Sequence, residues 1–217
     1  MGLFRRSPAR PPAGPLAEFA AHAPDPPQQT AATLRLLAVD IETTGLDPAK
    51  DHLLSIGFVP VDGDSIILGG AGQVLVRPEV AVGQSATFHH LTDDQLADGR
   101  SLEVALTLLL RALQGRVMLA HHAGIESGFL AAACRRTWGA APEFVSVDTL
   151  QLQYRLLCQG FDDEPAQGAL RLHAARDQFG LPRYRAHDAL TDALACAELY
   201  LAQVAQLGWQ TPLKKLR

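Results

Sequence analysis

Cysteine is scarce in this chain: Cys134, Cys158 and Cys196 are widely separated and odd in number. No CxxC pair occurs, so neither a zinc–cysteine site nor a disulfide framework is indicated, and a reducing cytoplasm is the expected compartment. Long apolar runs are also missing. None approaches the roughly 20 residues needed to cross a bilayer, so no membrane association is expected. Prolines and charges interrupt the first residues before a signal-peptide core can form, which argues against a secretory leader. A large excess of one charge is absent as well, with 19 Lys and Arg against 23 Asp and Glu and a formal net charge of −4. That balance argues against broad adhesion to polyanions, although a local grip on phosphates through metal ions stays open. No internal repeat is visible.

What is present is enough apolar residue, 47% of 217, for one domain with a substantial core. Residues 1–33 read as a Pro/Ala-rich N-terminal arm carrying Arg5, Arg6 and Arg10 and one short helix, "PLAEFAAHA". Residues 34–207 read as the main domain, and 208–217, with Lys214, Lys215 and Arg217, as a short C-terminal tail. Within the domain, "LRLLAVD", "HLLSIGFVPV" and "SIILGGAGQVLVRP" read as three strands, the last two joined by a turn at Asp62-Gly63-Asp64. "SLEVALTLLLRAL" has helical apolar spacing with Ser101 as N-cap, "RVMLAHH" is a short buried strand, and "IESGFLAAACRRTW" is helical. Strand "EFVSVD" and helices "TLQLQYRLLC", "ALRLHAARDQFG" and "HDALTDALACAELYLAQVAQLG" complete the chain. Hairpins followed by βαβα predict an α/β fold with a mixed five-stranded sheet flanked by helices.

In such sheets function gathers at strand ends and at the helix starts that follow them. Asp40 and Glu42 stand at the end of the first strand, two residues apart and hence on one face. Two buried like charges there are costly, and a bound cation would relieve them. Glu126 lies near the start of the helix after "RVMLAHH", and Asp192 lies on the last helix, five residues after His187. Four carboxylates could therefore converge with a histidine. An all-oxygen set of this kind favours Mg²⁺ or Mn²⁺ over zinc, and two such ions can serve in-line displacement at a phosphodiester. His187 adds a group able to take a proton from water near neutrality. Asp188 reads as a helix cap or as a residue that supports the ligand Asp192. Of the adjacent pair His121 and His122, one is expected to be packed and the other to be polar lining.

These residues resemble, in order and spacing, the DnaQ-like (DEDDh) exonucleases. "VDIETTGLDP" looks like the family's first motif, DxETTG; "AHHAGIESGFL" is similar to its second, HNAxFDxxFL; and "HDALTDA" matches its third, HxAxxDA. "FHHLTDD" is similar to a segment usually written IHGIT, and "VDTLQL" to a common IDTLxL strand. The resemblance implies an RNase H-like fold and 3′→5′ exonuclease activity that releases nucleoside monophosphates. It also implies two divalent ions held by Asp40, Glu42, Glu126 and Asp192, with His187 as general base. Thr43, Thr44 and Leu46 fall where the family meets the terminal nucleotide, and His89 at the histidine of IHGIT.

One departure stands out. The second motif's aspartate is Glu126 here, one methylene longer, its usual asparagine is His122 and its usual phenylalanine is Ile125. Mg²⁺ demands near-ideal octahedral geometry, so a displaced ligand would weaken one metal and make Mn²⁺ the alternative to try. The expected substrate is a single-stranded 3′ end, DNA before RNA. A non-catalytic nucleic-acid-end or polymerase-binding module, or an exoribonuclease on short RNA, are the other readings. The proofreading subunit of a bacterial replicative polymerase belongs to the same family, but a stand-alone or differently partnered enzyme fits the short C-terminal end better. A polymerase or dimer partner cannot be read from the sequence.

Overall fold

A computed structural model of the chain describes residues 14–24, 29–78, 91–158 and 164–217. Its strands are β1 (Arg35–Thr43), β2 (Leu53–Asp62), β3 (Ser65–Ile66), β4 (Gly72–Leu75), β5 (Val117–Ala120) and β6 (Ser146–Asp148). Its helices are α1 (Pro15–Ala21), α2 (Asp93–Ala97), α3 (Leu102–Ala112), α4 (Gly124–Trp138), α5 (Thr149–Leu157), α6 (Leu172–Gln178), α7 (Ala189–Leu207) and α8 (Leu213–Leu216).

The centre of the fold is β1, whose sequence is apolar on both faces. Leu37 and Val39 enter one core with α1, α3 and α4, while Leu36 and Ala38 enter the other with α5, α7 and α8. A strand buried on both sides reads as a continuous apolar run, as "LLAV" does. β1 pairs antiparallel with β2 and parallel with β5, which pairs parallel with β6. The order is β3-β2-β1-β5-β6, with β4 also on β2. This is the mixed, helix-flanked sheet expected, but with six strands in place of five.

The extra strand comes from Pro60. The segment read as one strand pairs with β2 at Val61–Asp62 as β3 and at Ser55–Phe58 as β4. Between them a 3₁₀ turn at Leu68–Gly70 swings past Pro60, which has no N–H for the ladder. Ile67 N–H donates to the Pro60 carbonyl at 2.9 Å, and a Cβ on Gly70 would come within 2.9 Å of the proline ring.

Two short helices were not anticipated. α2 begins with a capping box in which Thr92 and Gln95 bond reciprocally. α8 lies in the segment read as a tail, yet Leu213 and Leu216 are buried in the α7-side core. Arg155 donates to the carbonyls of Lys215 and Arg217, holding that end down. Ser101 caps α3 as expected, accepting from Val104 N–H.

Candidate active site

The end of β1 brings Asp40 and Glu42 to the same edge of the sheet, half-buried. The first turn of α7 brings Asp192 against them, and Gly57 is what permits the approach. Gly57 lies opposite Asp40 on β2, and a Cβ there would come within 2.1 Å of the Ala189 backbone. An isolated glycine inside an apolar strand marks just such close contact. One carboxylate oxygen from each of Asp40, Glu42 and Asp192 lies within 4.8 Å of the other two.

Glu126 enters from the start of α4. It is buried, 4% exposed, and its Oε2 has no hydrogen-bond partner among the described residues. It stands outside the trio but near enough to act on Asp40. The turn before it is held by Asp148, which caps α5 and accepts from the N–H groups of His122, Ala123 and Leu150. His122 has a positive φ of 79°, a conformation costly for a non-glycine residue, and the Asp148 contacts hold it there.

These acids raise one another's pKa values. Burial, then the charges of Glu126, Asp192, Glu42 and Asp188, push Asp40 well above the usual carboxylate range. Burial, followed by Asp192 and Asp188, lifts Glu42 to about 7. Burial also lifts Glu126 to about 8, against its own backbone N–H and with help from Asp148. Asp192 is raised by burial, opposed by the His187 N–H. Asp188, by contrast, is lowered: burial would raise it, but Thr191 and Gln73 hydrogen bonds prevail. It is the N-cap of α7, as its sequence position suggested.

His187 is exposed at the mouth of the site with φ 68°, and its backbone N–H donates to Asp192 Oδ2 at 2.7 Å. His121 is the packed member of its pair: its ring bonds Thr149 Oγ1 and the Leu170 carbonyl, while His122 is exposed. Thr43 and Thr44 use their hydroxyls within the loop after β1, on Gly45 O and Asp51 Oδ1. Asp51 also accepts from Asp47 N–H, so it organises a loop whose tip, Leu46, is 87% exposed. His89 lies outside the described residues.

A cleft of about 730 Å³ runs from Asp40, Glu42 and Asp192 past His187 to Tyr184 and Arg171. Arg171 is exposed and, among the described residues, its guanidinium has neither hydrogen bond nor ion pair. Sequence reasoning missed four residues here: Gly57, Asp51, Asp148 and Arg176. For Gly57 and Asp148 a signal existed, a glycine within a strand and an aspartate at a strand-to-helix junction. Asp51 acts within its own loop, where one aspartate among several carries no distinguishing pattern, and Arg176 acts across the fold.

Residues 37–200 match the RNase_T family model, described as an exonuclease. The chain belongs to this exonuclease family. It is 30% identical over 171 residues to the DNA polymerase III subunit epsilon of Treponema pallidum, covering 77% of this chain and 75% of that protein. It is 29% identical over 172 residues to a PolC-type DNA polymerase III of Thermotoga maritima, covering 79% of this chain but 12% of the polymerase. The fold is similar to that of E. coli exonuclease I in complex with a dA16 oligonucleotide, with TM-score 0.69 and 16% identity over 80% of this chain and 41% of that one. No described helix is long and apolar enough to cross a membrane.

Proposed function

We propose that this chain is a 3′→5′ exonuclease that removes nucleoside 5′-monophosphates from single-stranded 3′ ends, DNA in preference to RNA. One observation carries the reading: carboxylates from β1 and α7 converge within 4.8 Å, at the edge of a cleft whose mouth carries an exposed histidine.

The site suits divalent cations on its own evidence. Its donors are hard carboxylate oxygens, their pKa values are raised by crowding and burial, and Glu126 Oε2 is buried without a partner. Asp40, Glu42 and Asp192 would hold one Mg²⁺ or Mn²⁺, and Asp40 with Glu126 a second. When bound, such ions polarise the phosphodiester and steady charge on its attacking and leaving oxygens.

The chain's own residues supply the rest. His187 takes the proton of the attacking water through its ring, its backbone N–H being committed to Asp192. The water oxygen bonds to phosphorus as the bond to the 3′ oxygen breaks, and that oxygen takes a proton from solvent. Leu46 offers an apolar wedge to the terminal base, and the backbone of Thr43 and Thr44 lines its approach. Arg171, exposed and lining the same cleft as the carboxylates, suits a phosphate of the incoming strand. The oligonucleotide complex of exonuclease I supports DNA as substrate, and the epsilon relative supports a polymerase as partner.

The test follows a 5′-labelled single-stranded DNA oligonucleotide with Mg²⁺, with Mn²⁺ and with EDTA, Asp40→Ala serving as control. Metal-dependent shortening from the 3′ end, lost in the variant, is the expected result. Folded protein that shortens neither DNA nor an RNA of the same sequence would overturn it. The second reading, a non-catalytic binder of nucleic-acid ends, is favoured by one observation, that Glu126 stands outside the carboxylate trio. Calorimetric titration with Mn²⁺ separates the two, because the enzyme binds two ions and the binder need bind none.

A further inference from the structure

The segment Pro182–Ala186 delivers His187 to the site, yet it makes no backbone–backbone hydrogen bond among the described residues. It is held by side chains, and one of them is unusual. Arg176, on α6, is 3% exposed, a position where an apolar residue would fill the space without the cost of burying a charge. Its Nη1 donates to the Ala195 carbonyl of α7 at 2.6 Å, and its Nη2 donates to the Pro182 carbonyl at 2.8 Å and to Glu198 Oε2 at 2.7 Å. Its guanidinium carbon lies 4.7 Å from the centre of the Tyr184 ring, and the Tyr184 hydroxyl donates to Glu198 Oε1 at 2.8 Å.

Tyr184 joins the His187 segment directly to the helix that carries Asp192, and Arg176, from α6, bridges the two. Arg176 reaches Pro182 and Tyr184 on one side and Ala195 and Glu198 on the other. Among the described residues, the one other side-chain tie along the segment, Arg183 to Asp177, is an ion pair on the exposed surface and weakly restraining. The left-handed backbone of His187, φ 68°, persists only if its surroundings impose it.

We propose that Arg176 is a positioning residue for His187: with Tyr184 and Glu198 it clamps the Pro182–Ala186 segment to α7 and so fixes the imidazole over the carboxylates. The inference rests on the exonuclease reading, in which His187 moves the proton. The planar fork suits the task because it reaches three acceptors and a ring face at once, which a lysine cannot do.

The experiment compares kcat and KM on a single-stranded oligonucleotide for the wild type, Arg176→Met, Arg176→Lys and Tyr184→Ala, each also in a His187→Ala background. Tyr184 is partly exposed, so its variant keeps the test alive should Arg176→Met fail to fold. Misplacing the base should lower kcat of folded protein about ten- to a hundredfold with KM within about twofold, and Arg176→Lys should recover only part of it. In the His187→Ala background the same substitutions should cost nothing further, because they act through the missing ring. A purely structural role would lower the melting temperature and leave kcat alone, or multiply with His187→Ala, and either result overturns the clamp. If His187→Ala leaves kcat unchanged, the reading of His187 falls and the clamp with it. If His187→Ala is inactive while folded Arg176→Met and Tyr184→Ala keep full kcat, the clamp alone falls.

Discussion

The backbone N–H of His187 donates to Asp192 Oδ2 at 2.7 Å, so the proposed base and a proposed metal ligand fix each other's position. The two side chains nonetheless have separable tasks. His187→Ala keeps the N–H and should keep divalent binding while kcat falls about 10²- to 10⁴-fold. Asp192→Asn keeps an acceptor for that N–H but loses the charge, and should lose metal affinity together with kcat. Calorimetry with Mn²⁺ alongside turnover checks both; equal metal affinities in the two variants would contradict the division.

The acid cluster should make metal-free protein sensitive to alkali. Glu42 at about 7 and Glu126 at about 8 are raised above the ordinary value of 4.5, so the fold retains protons that the unfolded chain gives up. Stability from these groups is fully present below pH 4.5 and is lost as pH rises through 7 and 8. In EDTA the melting temperature should fall between these limits, each group contributing on the order of 1 kcal/mol per pH unit of its range. Glu126→Gln should flatten the upper part of the curve, and saturating Mn²⁺ should do so more completely. A melting temperature that rises over the same interval would contradict the assignment.

Gly57 should tolerate no side chain. A Cβ within 2.1 Å of Ala189 must push the first turn of α7 off the sheet, and Asp192 with it. Gly57→Ala should lower stability by about 1–3 kcal/mol, as overpacking does, and lower kcat by more than that loss explains. Chemical denaturation and turnover on the folded fraction are the measurements. Full activity would mean that the helix can shift without moving the carboxylate.

Leu46 and Arg171 should act on substrate rather than on the fold. Both are exposed, so Leu46→Ser and Arg171→Ala should leave stability within about 0.5 kcal/mol of wild type. Each should raise KM, and Arg171→Ala should reduce the slope of log affinity against log salt by about 0.7, the value for one single-strand phosphate. Anisotropy of a labelled oligonucleotide over a salt series reads this. An unchanged slope would remove Arg171 from the strand's path.

Neighbouring residues alone specified β1 and the acids at its end. "LLAVDIET" could only be a strand buried on both faces that ends in charge, and helical spacing with Ser101 or Asp188 at its head set where α3 and α7 begin. Those are local properties, written in neighbouring residues. Strand number was misread because the effect of Pro60 falls on a different segment, where the ladder lacks a donor. The tertiary structure alone decided that Gly57 lets α7 close on Asp40, and that Glu126 stands apart from the other three acids. It also decided that Arg176, buried on α6 beside Ala175, ties the His187 segment to α7. Such contacts join residues far apart in the chain, and their strength depends on burial and distance, quantities that exist only once the chain has folded.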